Sequence, residues 1–365
     1  MTERENLLRM LAGERASHLP LDVWLTAPSL AMVEAHRGTR DPVEALGLSV
    51  ERVGPRFPAR PDAWRESYRE LGFAVHPEAI LGALGTVDDV PPAHSLGDAY
   101  HLLEMRHPLS GEVTVAQLAS LPFPDVDSPE PYRHLPDHFA EIHSKGITSI
   151  GQMDCTMFEM TWYLRGMDRV FLDLVDGTGA ADWLLDWFTH RSEVGVAHYV
   201  RAGADIVWLG DDVGTQRGMM MAVPFWREHL KPRLKRVVAA ARNAQNREVW
   251  IAYHSDGDIR PIIPDLIEIG IDILNPVQPE CMPLEEVVAA YRERLAFWGM
   301  IGTQTTMPFG TPDDVRAAVG RVRDFACGGC RMVVSPTHAI EPDVPWRNLE
   351  ALIEDVKTPL FGERL

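Results

Sequence analysis

The feature that most restricts the fold is a repeated alternation of short apolar segments and amphipathic helices from about residue 135 onwards. The pattern predicts strands at residues 147–152, 205–209, 249–253, 271–274, 296–301 and 332–334, and helices follow them along the chain. These strands are apolar without alternating, which is typical of a parallel sheet covered by helices. Six such units after a leading strand at residues 19–25 favour a closed barrel over an open sheet.

The predicted helices support the same interpretation. They lie at residues 4–12, 135–144, 178–202, 224–242, 259–269, 284–293, 312–326 and 346–356. Gly203 and Gly270 stand where two of them end, and Thr311 and Pro312 stand where another begins. An open dinucleotide-binding sheet is the alternative, but no G-x-G-x-x-G follows the first strand. We therefore expect the α/β class, with a single (β/α)8 barrel of the TIM type.

The segment between about residues 50 and 135 has a different composition. Nine prolines interrupt any long periodic element there: Pro55, Pro58, Pro61, Pro91, Pro92, Pro122, Pro124, Pro129 and Pro131. Proline ends helices and is excluded from central strands. We expect one domain over residues 1–365, in which this segment is an irregular cap or insertion.

Charge and cysteine content limit the partners. The formal net charge of −18, from 53 acidic and 35 basic residues, argues against nucleic acid and anionic membranes, which both need clustered Lys and Arg. A small-molecule substrate is the expected partner, and a homodimer remains open. Four cysteines form no disulfide pattern, and the sequence has neither a signal peptide nor a long apolar run, so we expect a cytoplasmic protein.

Polar residues concentrate directly after the later predicted strands. In a (β/α)8 barrel the catalytic residues lie at this end, so the clustering predicts an enzyme. The expected catalytic residues are Asp211, Asp212, Gln216, His254 and His338, and the expected substrate-binding residues are Trp162, Trp208, Gln278 and Gln304. The tryptophans would form an apolar wall, although tryptophan more often belongs to a core. Of the adjacent acids Asp211 and Asp212, one can face the cavity while the other caps the next secondary-structure element. In the alternative, both acids are structural caps.

A metal site is one interpretation of the histidines. His254 and Asp256 can converge on one ion from a single loop, with His338 from another strand. Cys281 or Glu159 could add a ligand. In the alternative, His254 and His338 orient the substrate or transfer protons without a metal.

Several motifs carry a resemblance to a known family. They are Phe158–Gly166, Gly203–Gln216, Lys231–Lys235, His254–Gly257, Ile263–Gln278, Pro336–Ile340 and Asp343–Asn348. Together they resemble the uroporphyrinogen decarboxylase superfamily, which also contains cobamide-linked methyltransferases. The resemblance extends over about residues 135–356, is weaker over residues 1–50, and implies a (β/α)8 barrel.

Departures from the family pattern favour the methyltransferase branch. True uroporphyrinogen decarboxylases share an Arg-rich N-terminal signature. Residues 20–28 of this sequence, in the corresponding region, lack it. In the methyltransferases, zinc is typically held by His-x-Cys and a second Cys. The resemblance places His254 at the first position, Asp256 where the first Cys would stand, and His338 about where the second would stand. A site with a carboxylate and an imidazole in place of two thiolates binds sulfur less well. This weakens the case for a thiol as the acceptor of the methyl group.

The resemblance implies methyl transfer or demethylation that is assisted by a metal, with zinc as the expected ion at His254, Asp256, His338 and Cys281. It also implies a corrinoid, or cobalamin, carried by a separate protein, because this chain lacks the D-x-H-x-x-G corrinoid signature. Two alternatives remain: a metal-independent decarboxylase for a tetrapyrrole or small carboxylic acid, and a non-catalytic barrel that binds a corrinoid or metabolite.

Overall fold

Seven parallel strands form the sheet at the centre of the molecule. The computed structural model describes residues 1–57, 66, 107–245 and 248–361. The strands pair in the order β1-β2-β3-β6-β7-β8-β9, so that neighbours in the sheet follow one another along the chain. They are β1 (Val50–Val53), β2 (Thr148–Met153), β3 (Ile206–Gly210), β6 (Trp250–His254), β7 (Ile273–Asn275), β8 (Ala296–Trp298) and β9 (Met332–Val333). A two-stranded hairpin, β4 (Gly214–Thr215) with β5 (Gly218–Met219), lies after β3.

The leading segment closes the sheet into a barrel. Leu21 forms a parallel bridge with Val334 just after β9, where the Asp22 N–H donates to the Val334 carbonyl at 2.9 Å. On its other side the Ser49 N–H donates to the Leu21 carbonyl at 2.8 Å, next to β1. Residues near 21 therefore occupy the eighth position between the two edge strands. The expected α/β fold of the TIM-barrel type is confirmed.

Helices cover the outside of the barrel. In chain order they are α1 (Glu3–Leu11), α2 (Ala27–Arg37), α3 (Pro42–Leu46), α4 (Val115–Ser120), α5 (Leu135–Ser144), α6 (Phe158–Arg165), α7 (Met167–Asp176), α8 (Ala180–Ala202), α9 (Val223–His229), α10 (Lys231–Asn243), α11 (Ile263–Ile269), α12 (Leu284–Tyr291), α13 (Thr306–Phe309), α14 (Pro312–Cys327) and α15 (Trp346–Val356). Across the part of the chain with described coordinates, no helix is both long and apolar enough to span a bilayer.

The elements differ from the sequence prediction in several places, and two of the differences bear on the barrel. The expected single helix at 224–242 is two helices that meet at Leu230, because Pro232 has no N–H to continue the first one. The segment expected to be irregular from about residue 50 begins with a barrel strand, β1. Most of that segment, residues 58–106 apart from residue 66, lies outside the described residues, so the predicted cap is not tested.

The barrel interior is filled by large side chains. Trp208 and Trp298 are fully buried and their rings meet edge to face at 5.1 Å, with Val50, Ile150, Ile206 and Ile273 in the same cluster. A barrel packed in this way has no pore, so its chemistry is restricted to the end where the strands finish. Gly210, His254 and Asn275 are aligned in register there, as the last residues of three adjacent strands.

Candidate metal centre

His254 is held in a defined orientation by a neighbouring strand. It ends β6 and is 7% exposed. The side-chain N–H2 of Asn275 donates to the Trp298 carbonyl at 3.0 Å, which leaves the amide oxygen facing the imidazole. The His254 Nδ1 lies 2.5 Å from that oxygen and donates to it. The lone pair of a neutral His254 is therefore on Nε2, the nitrogen that ligates metals when the other is hydrogen-bonded.

Two carboxylates approach this Nε2. Asp212 Oδ1 lies at 3.7 Å and Asp256 Oδ1 at 4.0 Å. The Asp256 N–H donates to Asp212 Oδ1 at 2.7 Å, which ties the loops after β3 and β6 together. Asp256 Oδ1 is buried and accepts no hydrogen bond. Among the residues with described positions, these three form a group whose ligand atoms all lie within 4.8 Å of one another.

The charges in this group depend on one another. Burial raises the pKa of Asp256, and the charge of Asp212 raises it further, against the opposing effect of His254 and His338. Burial lowers the pKa of His254, but the charges of Asp212 and Asp256 and the bond to Asn275 outweigh it, so the pKa is raised. Two half-buried carboxylates side by side repel each other unless a cation neutralises them.

The adjacent acid Asp211 faces a different partner. It is 3% exposed and accepts the backbone N–H groups of Met157, at 3.1 Å, and of Glu159, at 2.9 Å. These are unpaired donors at the start of α6, so the carboxylate caps that helix from another strand. Burial raises the pKa of Asp211 to about 7, although these hydrogen bonds favour the charged form.

Glu159, on α6, is joined to Asp211 through its backbone N–H. Its carboxyl group accepts the Tyr163 hydroxyl at 2.9 Å. Burial raises the pKa of Glu159 well above its ordinary value, and the nearby charges of Asp212 and Asp211 act in the same direction. The Cys155 thiol donates to the Tyr163 oxygen at 3.7 Å, which extends the chain of hydrogen bonds to the end of β2.

Aromatic rings line the opposite side of His254. Trp24 stacks on the imidazole with ring centres 5.6 Å apart, and its centre lies 6.5 Å from that of His338. Below it, the Arg52 guanidinium lies 4.7 Å from the Trp24 ring centre and 5.0 Å from that of Trp208. The site thus has an acidic side and an aromatic side.

Close backbone contact positions the loops that carry the carboxylates. A Cβ at Gly214 would lie 2.6 Å from the Asp256 carbonyl oxygen, and one at Gly257 would lie 2.5 Å from the Gly214 carbonyl carbon. Gly257 also has a positive φ of 83°. Larger residues at these two positions would separate the loops.

The structure brings together part of the predicted ligand set. His254 and Asp256 are in the group, and Asp212, expected to be catalytic, joins them. The ring centre of His338 lies 6.5 Å from that of His254, outside the group. Cys281 is half-buried, its thiol donates to the Gln278 carbonyl at 3.6 Å, and it is not a member of the group. The roles of His338 and Cys281 as ligands stay predictions.

The remaining predicted site residues do not belong to the group of three. Gln216 is exposed in the β4–β5 hairpin, and Gln304 is exposed after β8. Gln278 is 2% exposed and accepts the Gly257 N–H at 3.2 Å. Trp162 is half-buried on α6, with an indole N–H that has no partner, and Trp208 is fully buried inside the barrel. The catalytic role of Gln216 and the substrate-binding roles of the other four stay predictions.

Three further residues of the centre were not selected from the sequence. In the sequence, Asn275 is typical of a turn before Pro276, and Trp24 is typical of the end of an apolar strand. Asp154, after β2, has a buried Oδ1 without a partner, and its charge acts on His254. Residue type alone gave no signal for them, because their roles depend on which strands are neighbours.

The donor set fits a divalent ion. An imidazole nitrogen and carboxylate oxygens are ligand types that zinc binds, and three of them leave a position open for another ligand; carboxylate oxygens also suit harder ions such as Mn²⁺. The buried, unpartnered Asp256 Oδ1 is the observation that a bound cation would explain.

Comparison with known proteins gives a family and a fold. The family model for "Uroporphyrinogen decarboxylase (URO-D)" matches residues 141–359. No curated protein matches the sequence. Among solved structures, a methyltransferase from Methanosarcina mazei superposes with a TM-score of 0.62 at 18% identity, over 97% of this chain and 98% of that one. At this identity the match shows a shared fold.

Other solved structures are more distant. A B12-independent methionine synthase from Shewanella sp. W3-18-1 matches with a TM-score of 0.41 at 14% identity, over 61% of this chain and 66% of that one. A GH27 β-L-arabinopyranosidase from Geobacillus stearothermophilus matches with a TM-score of 0.41 at 11% identity, over 96% and 78%. Neither similarity is strong enough to carry an argument about this chain.

Proposed function

Because the chain belongs to the uroporphyrinogen decarboxylase family, we propose that it is a methyltransferase that works with a divalent metal, zinc in the first instance. Asp212, His254 and Asp256 would hold the ion. The observation that carries the proposal is the group of three ligand atoms within 4.8 Å of one another, one of them a buried carboxylate oxygen without a hydrogen bond. A methyltransferase from Methanosarcina mazei with the same fold supports the choice of reaction.

The residues of this chain have separate tasks in the proposed reaction. Asn275 fixes the Nδ1–H tautomer of neutral His254, so that the lone pair is on Nε2 and faces the carboxylates. The Asp256 N–H fixes Asp212. Trp24 covers one face of the imidazole and excludes water from it. A bound zinc ion would supply Lewis-acid activation of the group that gives or receives the methyl group.

The methyl group would be exchanged with a corrinoid carried by a separate protein. The sequence has no corrinoid signature of its own, so the cofactor would have to be presented at the open end of the barrel. The proposal therefore includes a protein partner that would approach the end of the barrel where the strands finish.

The charge of the site disfavours the decarboxylase alternative. A substrate rich in carboxylates needs unpaired cations, whereas the described site is surrounded by Asp154, Glu159, Asp211, Asp212 and Asp256. Arg52 lies below them, but both of its terminal nitrogens already bond Asp22, at 2.8 and 2.5 Å. An acidic pocket repels an anionic substrate and attracts a cation.

The test combines metal content with methyl transfer. Wild type and Asp256→Asn are loaded with zinc, washed and analysed for metal. Each is then incubated with reduced cobalamin and donors with methyl groups on oxygen, nitrogen or sulfur, and in the reverse direction with methylcobalamin and the corresponding acceptors. The change in corrinoid absorbance reports transfer in either direction.

We expect about one zinc per wild-type chain, transfer with at least one methyl class, and loss of both in Asp256→Asn. Wild type that binds zinc but transfers no methyl group in either direction would reject the reaction. Release of CO2 from a carboxylic acid by metal-free protein would favour the decarboxylase instead.

A further inference from the structure

We propose that a small monovalent anion, such as chloride, binds beside the Arg191 guanidinium, where α8 packs on the end of β2. This site uses none of the three residues of the metal centre, so it stands or falls independently of the proposed function. The anion would join the helix to the strand by supplying the acceptor that a buried cation needs.

Arg191 is a buried cation without an ion-pair partner. It is 7% exposed, and among the residues that the structure describes no carboxylate lies within ion-pair distance of it. Its Nη2 donates to the Met153 sulfur at 3.4 Å, and a thioether is a weak acceptor. Its Nε–H is buried and has no hydrogen-bond partner. The charge of Asp211 favours the charged guanidinium only from further away, and burial lowers the pKa of Arg191.

Another buried arginine shows how the same fold satisfies such a group. Arg165 is 2% exposed, and it pairs with Asp173 at 2.8 Å. It also donates to the backbone carbonyls of Leu109 and Gly111. A guanidinium keeps its proton in proteins, and burying its charge without compensation is strongly unfavourable. Arg191 therefore needs an acceptor that the described side chains do not supply.

Tyr132 offers a second unpaired donor against the same face of α8. It is 2% exposed, and its buried hydroxyl has no hydrogen-bond partner. The Tyr132 ring and the Met153 sulfur both lie against Gly195, one turn after Arg191. A Cβ at Gly195 would lie 3.8 Å from Tyr132 Cε1 and 3.8 Å from the sulfur. Burial raises the pKa of Tyr132 to about 12, so the hydroxyl keeps its proton and can donate.

The surroundings indicate the class of anion. The Phe188 ring centre lies 5.5 Å from the guanidinium carbon of Arg191, and the Met153 sulfur lies against one terminal nitrogen. A lining of this kind offers one full positive charge and apolar groups. It suits a weakly hydrated ion with a single charge better than sulfate or phosphate, which need further cations to repay the loss of their hydration.

The first measurement is urea unfolding of the wild type at constant ionic strength, with gluconate replaced stepwise by chloride. A ligand that binds the folded state alone stabilises it by mass action. We expect the ratio of folded to unfolded protein to rise roughly tenfold for each tenfold increase in chloride above its dissociation constant. Arg191→Met keeps the apolar stem and should abolish this dependence, and Tyr132→Phe should weaken it.

Arg233→Met is the matched control. Arg233 is a half-buried arginine of α10 that already bonds Asp182 and Asp186 of α8, at 2.9 and 2.8 Å. Its removal should leave the chloride dependence of stability as in the wild type. Crystals soaked in bromide then locate the ion by anomalous scattering, and the peak should lie within hydrogen-bond distance of Arg191 Nε.

Stability that does not respond to chloride in the wild type would overturn the inference, and so would an equal response in Arg191→Met. A bromide peak at Arg191 without any effect of chloride in solution would mean binding at crystal concentration only, which also contradicts it. Should Arg191→Met not fold, the presence or absence of the bromide peak beside Arg191 in the chloride-responsive wild type decides the question.

Discussion

His254 donates from Nδ1 to the side-chain oxygen of Asn275, 2.5 Å away, across two adjacent strands that end in register. This bond selects the tautomer of His254 that can bind a metal. We expect Asn275→Ala to weaken zinc binding by roughly 10–100-fold, because the ring loses its orientation. Competition with a chromophoric chelator measures the affinity.

The control for this substitution is Asn348→Ala. Asn348 is fully buried, and its amide donates to the Met307 and Gly310 carbonyls at 2.8 Å, with no bond to the metal centre. Both variants should lose stability, but only Asn275→Ala should lose zinc affinity. Equal zinc affinity in the two would show that Asn275 has no special role.

Asp256→Asn should affect stability and metal binding in opposite directions. The substitution removes a charge from a buried oxygen that has no hydrogen-bond partner and faces Asp212. We expect zinc affinity to fall at least about 100-fold, while the metal-free protein gains about 1 kcal/mol in free energy of unfolding. Urea unfolding in the presence of a chelator measures the gain. A metal-free variant less stable than wild type would contradict the proposed charge repulsion.

The stability of the metal-free protein should fall as the pH rises from about 5 to about 7. Burial raises the pKa of Asp211 from 3.8 to about 7, so the folded state keeps a proton that the unfolded state releases. This contribution is complete below the unfolded value and is lost as the pH passes the folded value. The raised pKa values of Asp256 and His254 act in the same direction.

Groups with lowered pKa values, such as Asp205 and Asp265, act in the other direction but at lower pH, below their ordinary value of 3.8. Urea titrations at several pH values test the slope, which is at most about 1.4 kcal/mol per pH unit for each proton. Saturating zinc should flatten it. If zinc leaves the slope unchanged, the groups that cause the pH dependence of stability do not belong to the metal centre.

The barrel was predictable because buried parallel strands leave a strong pattern in the sequence. The limits of α5 and α15 agree with the predicted residues 135–144 and 346–356, and strands β2, β3 and β6 are displaced by a single residue. Strand β1 was missed because Glu51 and Arg52 interrupt its apolar pattern. Arg52 points into the barrel and pairs with Asp22, and sequence periodicity cannot show a buried ion pair of that kind.

The metal centre was predictable only in part, for a related reason. His254 and Asp256 belong to one loop, so their spacing already brings them together. Asn275 acts through a bond to His254 on the neighbouring strand, which depends on strand order and register. Whether His338 belongs to the centre depends on the distance between the loop after β6 and the loop after β9. The sequence alone does not determine that distance.

Gly214→Ala should weaken both the fold and the metal centre. Its Cβ would lie 2.6 Å from the Asp256 carbonyl oxygen, and backbone cannot move aside as a flexible side chain does. We expect a loss of about 1–3 kcal/mol in free energy of unfolding, with weaker zinc binding because the loops of Asp212 and Asp256 separate. Gly320→Ala is the control, since nothing lies within 4 Å of its Cβ on α14. It should be neutral or stabilising by up to about 1 kcal/mol. If Gly214→Ala binds zinc with wild-type affinity, the close approach of Gly214 to Asp256 is not needed for the metal centre.

Asp22 and Arg52 should show a large coupling free energy, because their ion pair lies where the barrel closes. Asp22 is 1% exposed, accepts both terminal nitrogens of Arg52, and accepts the Trp298 indole N–H at 3.0 Å. Arg52→Met leaves the Asp22 charge buried without its cation, which typically costs about 3–5 kcal/mol. Asp22→Asn combined with Arg52→Met removes both charges and keeps an acceptor for Trp298, so the double variant should recover much of that loss. Urea unfolding of the wild type, both single variants and the double variant gives the coupling free energy. If the two losses simply add, Asp22 and Arg52 are independent, and the closure of the barrel depends on its backbone bonds alone.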